Sequence, residues 1–177
     1  KGNTEIIEEA LSAAGIPVYT EKGTGFYESH EITAILSLLT VIDNPVNDIQ
    51  LLSVMRSHIF GFTENELAQI RLCRKKCDYY YAAVKAAGMD NPLGLKVRNM
   101  LNQIKRWRRL SEYLQVDELL WALYTETDYL NFASSMEDGE QKRANLVLLF
   151  EKARQFEETS FSGLFNFLNY ISKARAK

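Results

Sequence analysis

The sequence predicts a mainly α-helical protein with a short α/β entry at its N-terminus. Apolar residues recur at three- and four-residue spacing through most of the chain. The one β-like run, residues 16–19 (Ile16, Pro17, Val18, Tyr19), stands alone. Helix stops and starts, such as Gly15, Asn44-Pro45 and Gly88, fall between the periodic segments. A single strand cannot form a stable sheet, so the partners of residues 16–19 are expected in sequence not present here.

Taken in order, Thr4 opens a helix with Ile6, Ile7, Ala10 and Leu11 on its apolar face, and Gly15 ends it. A loop over residues 22–29 holds Gly23 and Gly25. The next helix carries Ile32, Ile35, Leu36, Leu39 and Ile42 on one face. Leu38 and Val41 widen that face, which predicts burial on more than one side. Shorter helices are predicted over residues 48–56, 63–74 and 79–87. A long one follows over residues 92–114, with Val97, Met100, Leu101, Ile104, Trp107 and Leu114 as its stripe. Residues 116–125 turn Leu119, Leu120 and Leu123 inward. Residues 139–158 do the same with Leu146, Leu149, Phe150, Ala153 and Phe156. The last helix, residues 161–173, is aromatic. Its Phe161, Phe165, Phe167 and Tyr170 are read first as core and alternatively as a docking face.

Composition narrows the class. The 177 residues are 46% hydrophobic and 25% charged with a formal net charge of -2, which fits neither a disordered nor a collagen-like chain. A chain of this length buries about 70% of its unfolded surface. No apolar run approaches the roughly 20 residues that span a bilayer. The longest, residues 32–42, is broken by Thr33, Ser37 and Thr40. No signal peptide opens the chain, so a cytoplasmic protein without membrane contact is expected. The start at Lys1, without a methionine, points to a piece of a longer polypeptide. Cys73 and Cys77, with His30 and His58 the only histidines, are too few for a disulfide framework or a convincing zinc site. No metal ligands are assigned.

Catalytic signatures are missing. There is no phosphate loop ending in Gly-Lys-Ser/Thr, no Gly-x-Ser-x-Gly, no His-Glu-x-x-His and no Cys-x-x-Cys. No catalytic residues and no cofactor are therefore assigned to the chain itself. Three local features do stand out. In residues 57–67, Thr63 and Glu66 spell a capping box after a glycine-bearing turn. A helix N-terminus of that kind offers N–H groups and a positive dipole end to phosphate, or is an ordinary well-capped turn. Lys96, Arg98, Lys105, Arg106, Arg108 and Arg109 form a basic run with no acid between its ends. Arg98, Lys105, Arg108 and Arg109 lie opposite Met100, Ile104 and Trp107, which fits a nucleic-acid face or a solvated one paired with acids elsewhere. Finally, Gly25, Phe26, Tyr27 and Glu28 lead into Glu31 and Ile32. The bland reading of that loop is a staple in which the aromatics pack where the helix begins.

In their order and spacing these blocks resemble UvrD/RecB-type superfamily 1 DNA helicases. The stretches that carry the resemblance are GIPVYTEKGTGFYESHEITAILSLLTVIDNP and SVMRSHIFGFTENELAQIR, and later QKRANLVLLFEKARQFEETSFSGLFNFLNYI. The spelling is nearest the helicase subunit of two-subunit bacterial helicase/nucleases. The resemblance implies that residues 1–40 are the edge of the second RecA-like motor domain and residues 41–177 a helical 2B-like insertion. It places Gly25, Phe26, Tyr27, Glu28 and Glu31 on the motif loop leading into that insertion. It sets Ser57, Gly61, Phe62 and Thr63 on a Gly-Ile-Gly-type turn that touches duplex DNA, with Thr63 where the second glycine often stands. For the whole protein it implies ATP and Mg2+, 3′ to 5′ movement, a nuclease domain and, in double-strand break repair, a partner subunit. The stripe of Arg98, Lys105, Arg108 and Arg109 matches no family motif and stays a reading of charge pattern. The expected function is a non-specific grip on duplex phosphates, which would be strongly salt-dependent. Docking to the partner subunit or motor body is the alternative.

Overall fold

The computed structural model describes residues 25–159 and 161–175. The helix expected from Thr4 and the strand expected over residues 16–19 lie outside the described residues. Among the described residues every regular element is a helix: α1 (Gly25–Glu28), α2 (His30–Asp43), α3 (Asp48–Arg56), α4 (Glu64–Cys73), α5 (Tyr79–Ala86), α6 (Pro92–Leu110), α7 (Val116–Glu126), α8 (Tyr129–Ser134), α9 (Gly139–Glu157) and α10 (Leu164–Arg175).

The fold is organised round α2. Its Ile32, Ile35, Leu38, Leu39, Val41 and Ile42 have no solvent exposure. The helix is enclosed by α3, α6, α9 and α10. That matches the wide apolar face read from the sequence, and each such side chain contributes roughly 1.5–3 kcal/mol by leaving water. The helix also crosses residues 40 and 41 without a break.

Polar side chains tie the enclosing helices together. Asp48, at the start of α3, accepts the Tyr79 N–H at 2.6 Å and faces the Arg71 guanidinium at 3.3 Å. Arg71 also donates to the Cys77 carbonyl at 2.7 Å and lies over the Tyr79 ring. The Tyr79 hydroxyl donates to the Leu67 carbonyl at 2.8 Å, and burial pushes its pKa up to about 12 against the opposing pull of Arg71. This knot fastens α3, α4 and α5. Elsewhere in the core, the buried Glu31 carboxylate accepts from Asn145 at 2.7 Å, joining α2 to α9.

Some expectations change. Within the loop read over residues 22–29, Gly25–Glu28 is a turn of helix. The long helix α6 ends at Leu110 rather than residue 114, in a turn where the Tyr113 and Leu114 N–H groups both donate to the Leu110 carbonyl. Helix α8 was not foreseen, because six residues are too short to show a period. Of the four aromatics read in the last helix, only Phe167 is core. Phe161, Phe165 and Tyr170 are 69%, 63% and 46% exposed, so the core reading holds for one of the four aromatics. Its helical span allows one apolar face, and Leu164, Phe167 and Ile171 fill it.

The joint between α8 and α9 depends on a glycine. A Cβ on Gly139 would stand 2.0 Å from the Ser134 carbonyl oxygen and 2.6 Å from its carbon. Both are backbone atoms and cannot swing aside. Gly139→Ala should therefore cost about 1–3 kcal/mol or more. Thermal denaturation tests this, and an unchanged midpoint would refute the close approach.

Candidate nucleic-acid interface

The turn from Ser57 to Thr63 is built from its own hydrogen bonds. Ser57 ends α3, and its hydroxyl donates to the Val54 carbonyl at 2.7 Å and accepts the Ile59 N–H at 3.3 Å. The Gly61 N–H donates to the Ser57 carbonyl, and the Phe62 N–H to the Met55 carbonyl, both at 2.8 Å. Gly61 sits at φ +59°, the left-handed conformation glycine adopts without a steric cost. Thr63 and Glu66 complete the capping box: the Glu66 N–H donates to the Thr63 hydroxyl at 3.2 Å, and the Thr63 N–H to the Glu66 carboxylate at 2.7 Å.

This leaves little of the open N–H cradle expected at that helix start. The amides of Ile59, Gly61, Phe62, Thr63 and Glu66 are already engaged. Two carboxylates, Glu64 and Glu66, occupy the first turn of α4. Phe62 is buried at 3% exposure beneath the Lys96 ammonium, so its ring belongs to the core; of the four expected contact residues Gly61 and Thr63 are exposed and Ser57 is half-buried. Within the turn, His58 is exposed and stacks on Phe132 with ring centroids 3.9 Å apart and planes 4° apart.

Helix α6 starts cleanly because the Asn91 side chain accepts the Gly94 N–H at 2.8 Å and Pro92 occupies the first turn. Its cations divide into engaged and unengaged groups. Lys96 contacts the Gly61 carbonyl and the Glu66 carboxylate. Arg98 caps the end of α5, donating to the carbonyls of Ala87 at 3.2 Å and Met89 at 3.5 Å. Arg106 pairs with Glu126, whose same oxygen also accepts from Gln103 at 3.0 Å and from the Trp107 indole at 2.7 Å. Lys105, Arg108 and Arg109 are exposed, with no side-chain ion pair or hydrogen bond among the described residues. The exposed Glu112 follows one turn on and forms no ion pair with them.

The turn and the unengaged cations lie on different sides of α6. The turn packs along the face of Lys96, Gln103 and Trp107, with the Phe60 and Trp107 centroids 6.0 Å apart. At 100° per residue, Lys105 and Arg109 stand roughly 160° round the helix from Trp107, whereas Arg108, expected opposite the apolar stripe, lies on its flank, about 40° from Ile104 and 100° from Trp107. The expected stripe is thus reduced to Lys105, Arg108 and Arg109. Arg98 is spent on a helix end. The Glu126 node was missed by the sequence reading, since partners 19 to 23 residues apart leave no local signal.

The motif loop packs rather than projects. Phe26 and Tyr27 meet edge to face at 4.9 Å, and Tyr27 is 5% exposed. The Tyr27 carbonyl accepts from the Thr33 hydroxyl at 3.3 Å and from the Arg175 guanidinium. Gly25 and Glu28 are exposed, whereas Glu31 is buried against Asn145.

The described residues therefore make an all-helical domain that displays a self-bonded glycine turn and, on another face, a group of unpaired cations. No helix among them is long and apolar enough to cross a membrane. The family model for the UvrD-like helicase C-terminal domain matches residues 1–176, and the chain belongs to that family. It is similar to the A subunit of the ATP-dependent helicase/nuclease of Thermoanaerobacter pseudethanolicus, at 48% identity over 167 residues, covering 94% of this chain and 14% of that protein. The equivalent protein of Acetivibrio thermocellus is 48% identical over 174 residues, 97% of this chain and 14% of its own length. That of Clostridium perfringens is 40% identical over 182 residues, 99% and 14% respectively. The chain thus spans 14% of the length of these relatives.

Two outcomes follow from the turn. The Thr63 N–H, and after it Lys96, hold the Glu66 carboxyl below its ordinary value of 4.5. A lowered folded value means the stabilisation is complete above about pH 4.5 and is lost as pH falls through the folded value. Glu66→Gln should flatten that part of a stability–pH curve, and an unaltered curve would contradict the linkage. A Cβ on Gly61 meets nothing within 4 Å, so Gly61→Ala should cost only the left-handed strain, about 1–2 kcal/mol. Gly61→Asn should cost less in the same denaturant titration.

Proposed function

We propose that this chain is the helical accessory part of a larger DNA helicase/nuclease, and that it holds duplex DNA through phosphates while the motor pulls one strand away. Residues 1–40 would form the edge of the second motor domain and residues 41–177 the 2B-like insertion. The unbroken α2 across residue 40 would make the joint stiff. The observation that carries the DNA reading is that Lys105, Arg108 and Arg109 have no partner among the described residues, where every other cation of α6 has one. Unpaired cations are free to neutralise phosphates and so release the counterions condensed on DNA, which favours binding.

The turn at Gly61 and Thr63 would add a second contact, by shape and hydroxyl rather than by charge. Its cations are neutralised locally, Arg56 by Glu64 at 2.7 Å and Lys96 by Glu66 at 2.9 Å. ATP, the nuclease step and a second subunit belong to this proposal for the whole protein, supported by the name its relatives carry; Mg2+, 3′ to 5′ movement and a cytoplasmic setting are parts of the proposal that the name does not carry. The described residues gather no group of three or more potential metal ligands, and the chain has no phosphate loop, so no step of ATP hydrolysis is assigned to them.

A second reading, docking to the partner subunit or the motor body, is favoured by the exposed Phe161, Phe165 and Tyr170. Phe161→Ser with Phe165→Ser should leave the fold and DNA affinity intact but abolish co-purification with the co-expressed second subunit. Intact co-purification would count against docking there.

The test of the DNA reading is a salt titration of binding to a short blunt duplex, beside a single strand of equal length. Duplex-preferring binding that falls steeply with salt is expected. Replacing Lys105, Arg108 and Arg109 together by Gln should make the log–log salt slope shallower by about 2–3, at roughly 0.9 per phosphate contact. An unchanged slope would refute the assignment of these cations. No binding at low salt would move the weight to docking.

A further inference from the structure

Lys96 differs from the other cations of α6 because all its contacts converge on one turn. Its Nζ lies 2.9 Å from the Gly61 carbonyl oxygen, 3.1 Å and 2.9 Å from the two Glu66 carboxylate oxygens, and 4.4 Å from the centre of the Phe62 ring. Gly61 is the left-handed residue, Phe62 the core anchor, and Glu66 the group that also holds the Thr63 N–H. One ammonium therefore fixes the bend, the anchor and the cap of the turn. It does so from a helix 30 to 35 residues away in sequence.

These contacts also bear on what Lys96 can do to a ligand. An ammonium has three protons. Here they face a carbonyl and both oxygens of a carboxylate, and the side chain is only 34% exposed. No proton and no net charge are left over for a phosphate.

We infer that Lys96 is a positioning residue of the DNA-contacting turn: it sets the shape of residues 57–63 and acts on duplex binding through them, without touching DNA. The inference rests on the reading of that turn as a duplex contact. It makes α6 a two-sided element, with Lys96 shaping the turn on one face and Lys105, Arg108 and Arg109 meeting phosphate on another. A sequence-level count of basic residues would score all of them alike.

The test uses three variants of this chain: Lys96→Met, Lys96→Arg, and the charge-balanced pair Lys96→Met with Glu66→Gln. Amide hydrogen exchange is followed without DNA, and the protected amides of α2 report that the fold is intact. In Lys96→Met the amides of Gly61, Phe62 and Thr63 should exchange about tenfold faster, the size expected from losing a charge-assisted hydrogen bond. Lys96→Arg should restore most of that protection. The charge-balanced pair, which leaves local net charge unaltered, should bind the short duplex more weakly at an unchanged salt slope. Unchanged exchange at the turn would overturn the clamp. A slope shallower by about 0.9 in the balanced pair would overturn the positioning role, since it would mean Lys96 meets a phosphate directly. Faster exchange with undiminished duplex binding would instead show that the turn does not touch DNA, and the positioning role would fall with that reading while the clamp itself stood.

Discussion

A helix with apolar side chains round most of its circumference has to be covered, and α2 sets that requirement for the rest of the molecule. Ile32, Ile35, Leu38, Leu39, Val41 and Ile42 would each expose oily surface if any covering helix moved away. Helices α3, α6, α9 and α10 supply the cover from separate parts of the chain. Two polar groups of this core are satisfied by partners, whereas the buried Asp117 keeps one carboxylate oxygen without a hydrogen bond among the described residues. Glu31 is matched by Asn145, and the Tyr129 hydroxyl donates to the Glu31 backbone carbonyl at 3.4 Å. Burial, and next to it the Glu31 charge, pushes the Tyr129 pKa up to about 12, so the phenol remains neutral and able to donate.

With the core settled, the surface is decided by which charges find partners. Over the whole chain the balance is slightly acidic, which taken alone argues against a polyanion as ligand. Local pairing changes that conclusion. Acids from α4 and α7 neutralise Lys96 and Arg106, and the end of α5 takes Arg98, while Lys105, Arg108 and Arg109 are left unmatched among the described residues near the end of α6. Cations at a helix C-terminus also interact well with its dipole, which lets the group persist without a ligand. The turn shows the opposite design. It is rigid, locally neutral and satisfied by its own bonds, so it suits recognition by shape more than by charge.

The chain spans 14% of the length of the relatives it resembles. The accessory element proposed above need not bind tightly by itself. In that proposal it presents a stiff surface in a fixed place relative to the motor. The stiffness has identifiable sources: a helix buried round most of its circumference, the Asp48–Arg71–Tyr79 knot, and a glycine turn clamped from another helix.

The sequence by itself determined the helical class, the buried character of α2, most helix positions, the capping box at Thr63 and Glu66, and membership of a helicase family through spaced motif blocks. All of these are written locally, in periods of three and four residues or in short ordered strings. Local patterns also left things out. The six residues of α8 are too few to repeat, and an aromatic-rich helix did not say which of Phe161, Phe165, Phe167 and Tyr170 would face inward. Only the tertiary structure decided which basic residues are free. Lys96 meets Glu66 across 30 residues and Arg106 meets Glu126 across 20. Ion pairing depends on distance in space, and a linear pattern does not contain that distance until the chain has closed round α2.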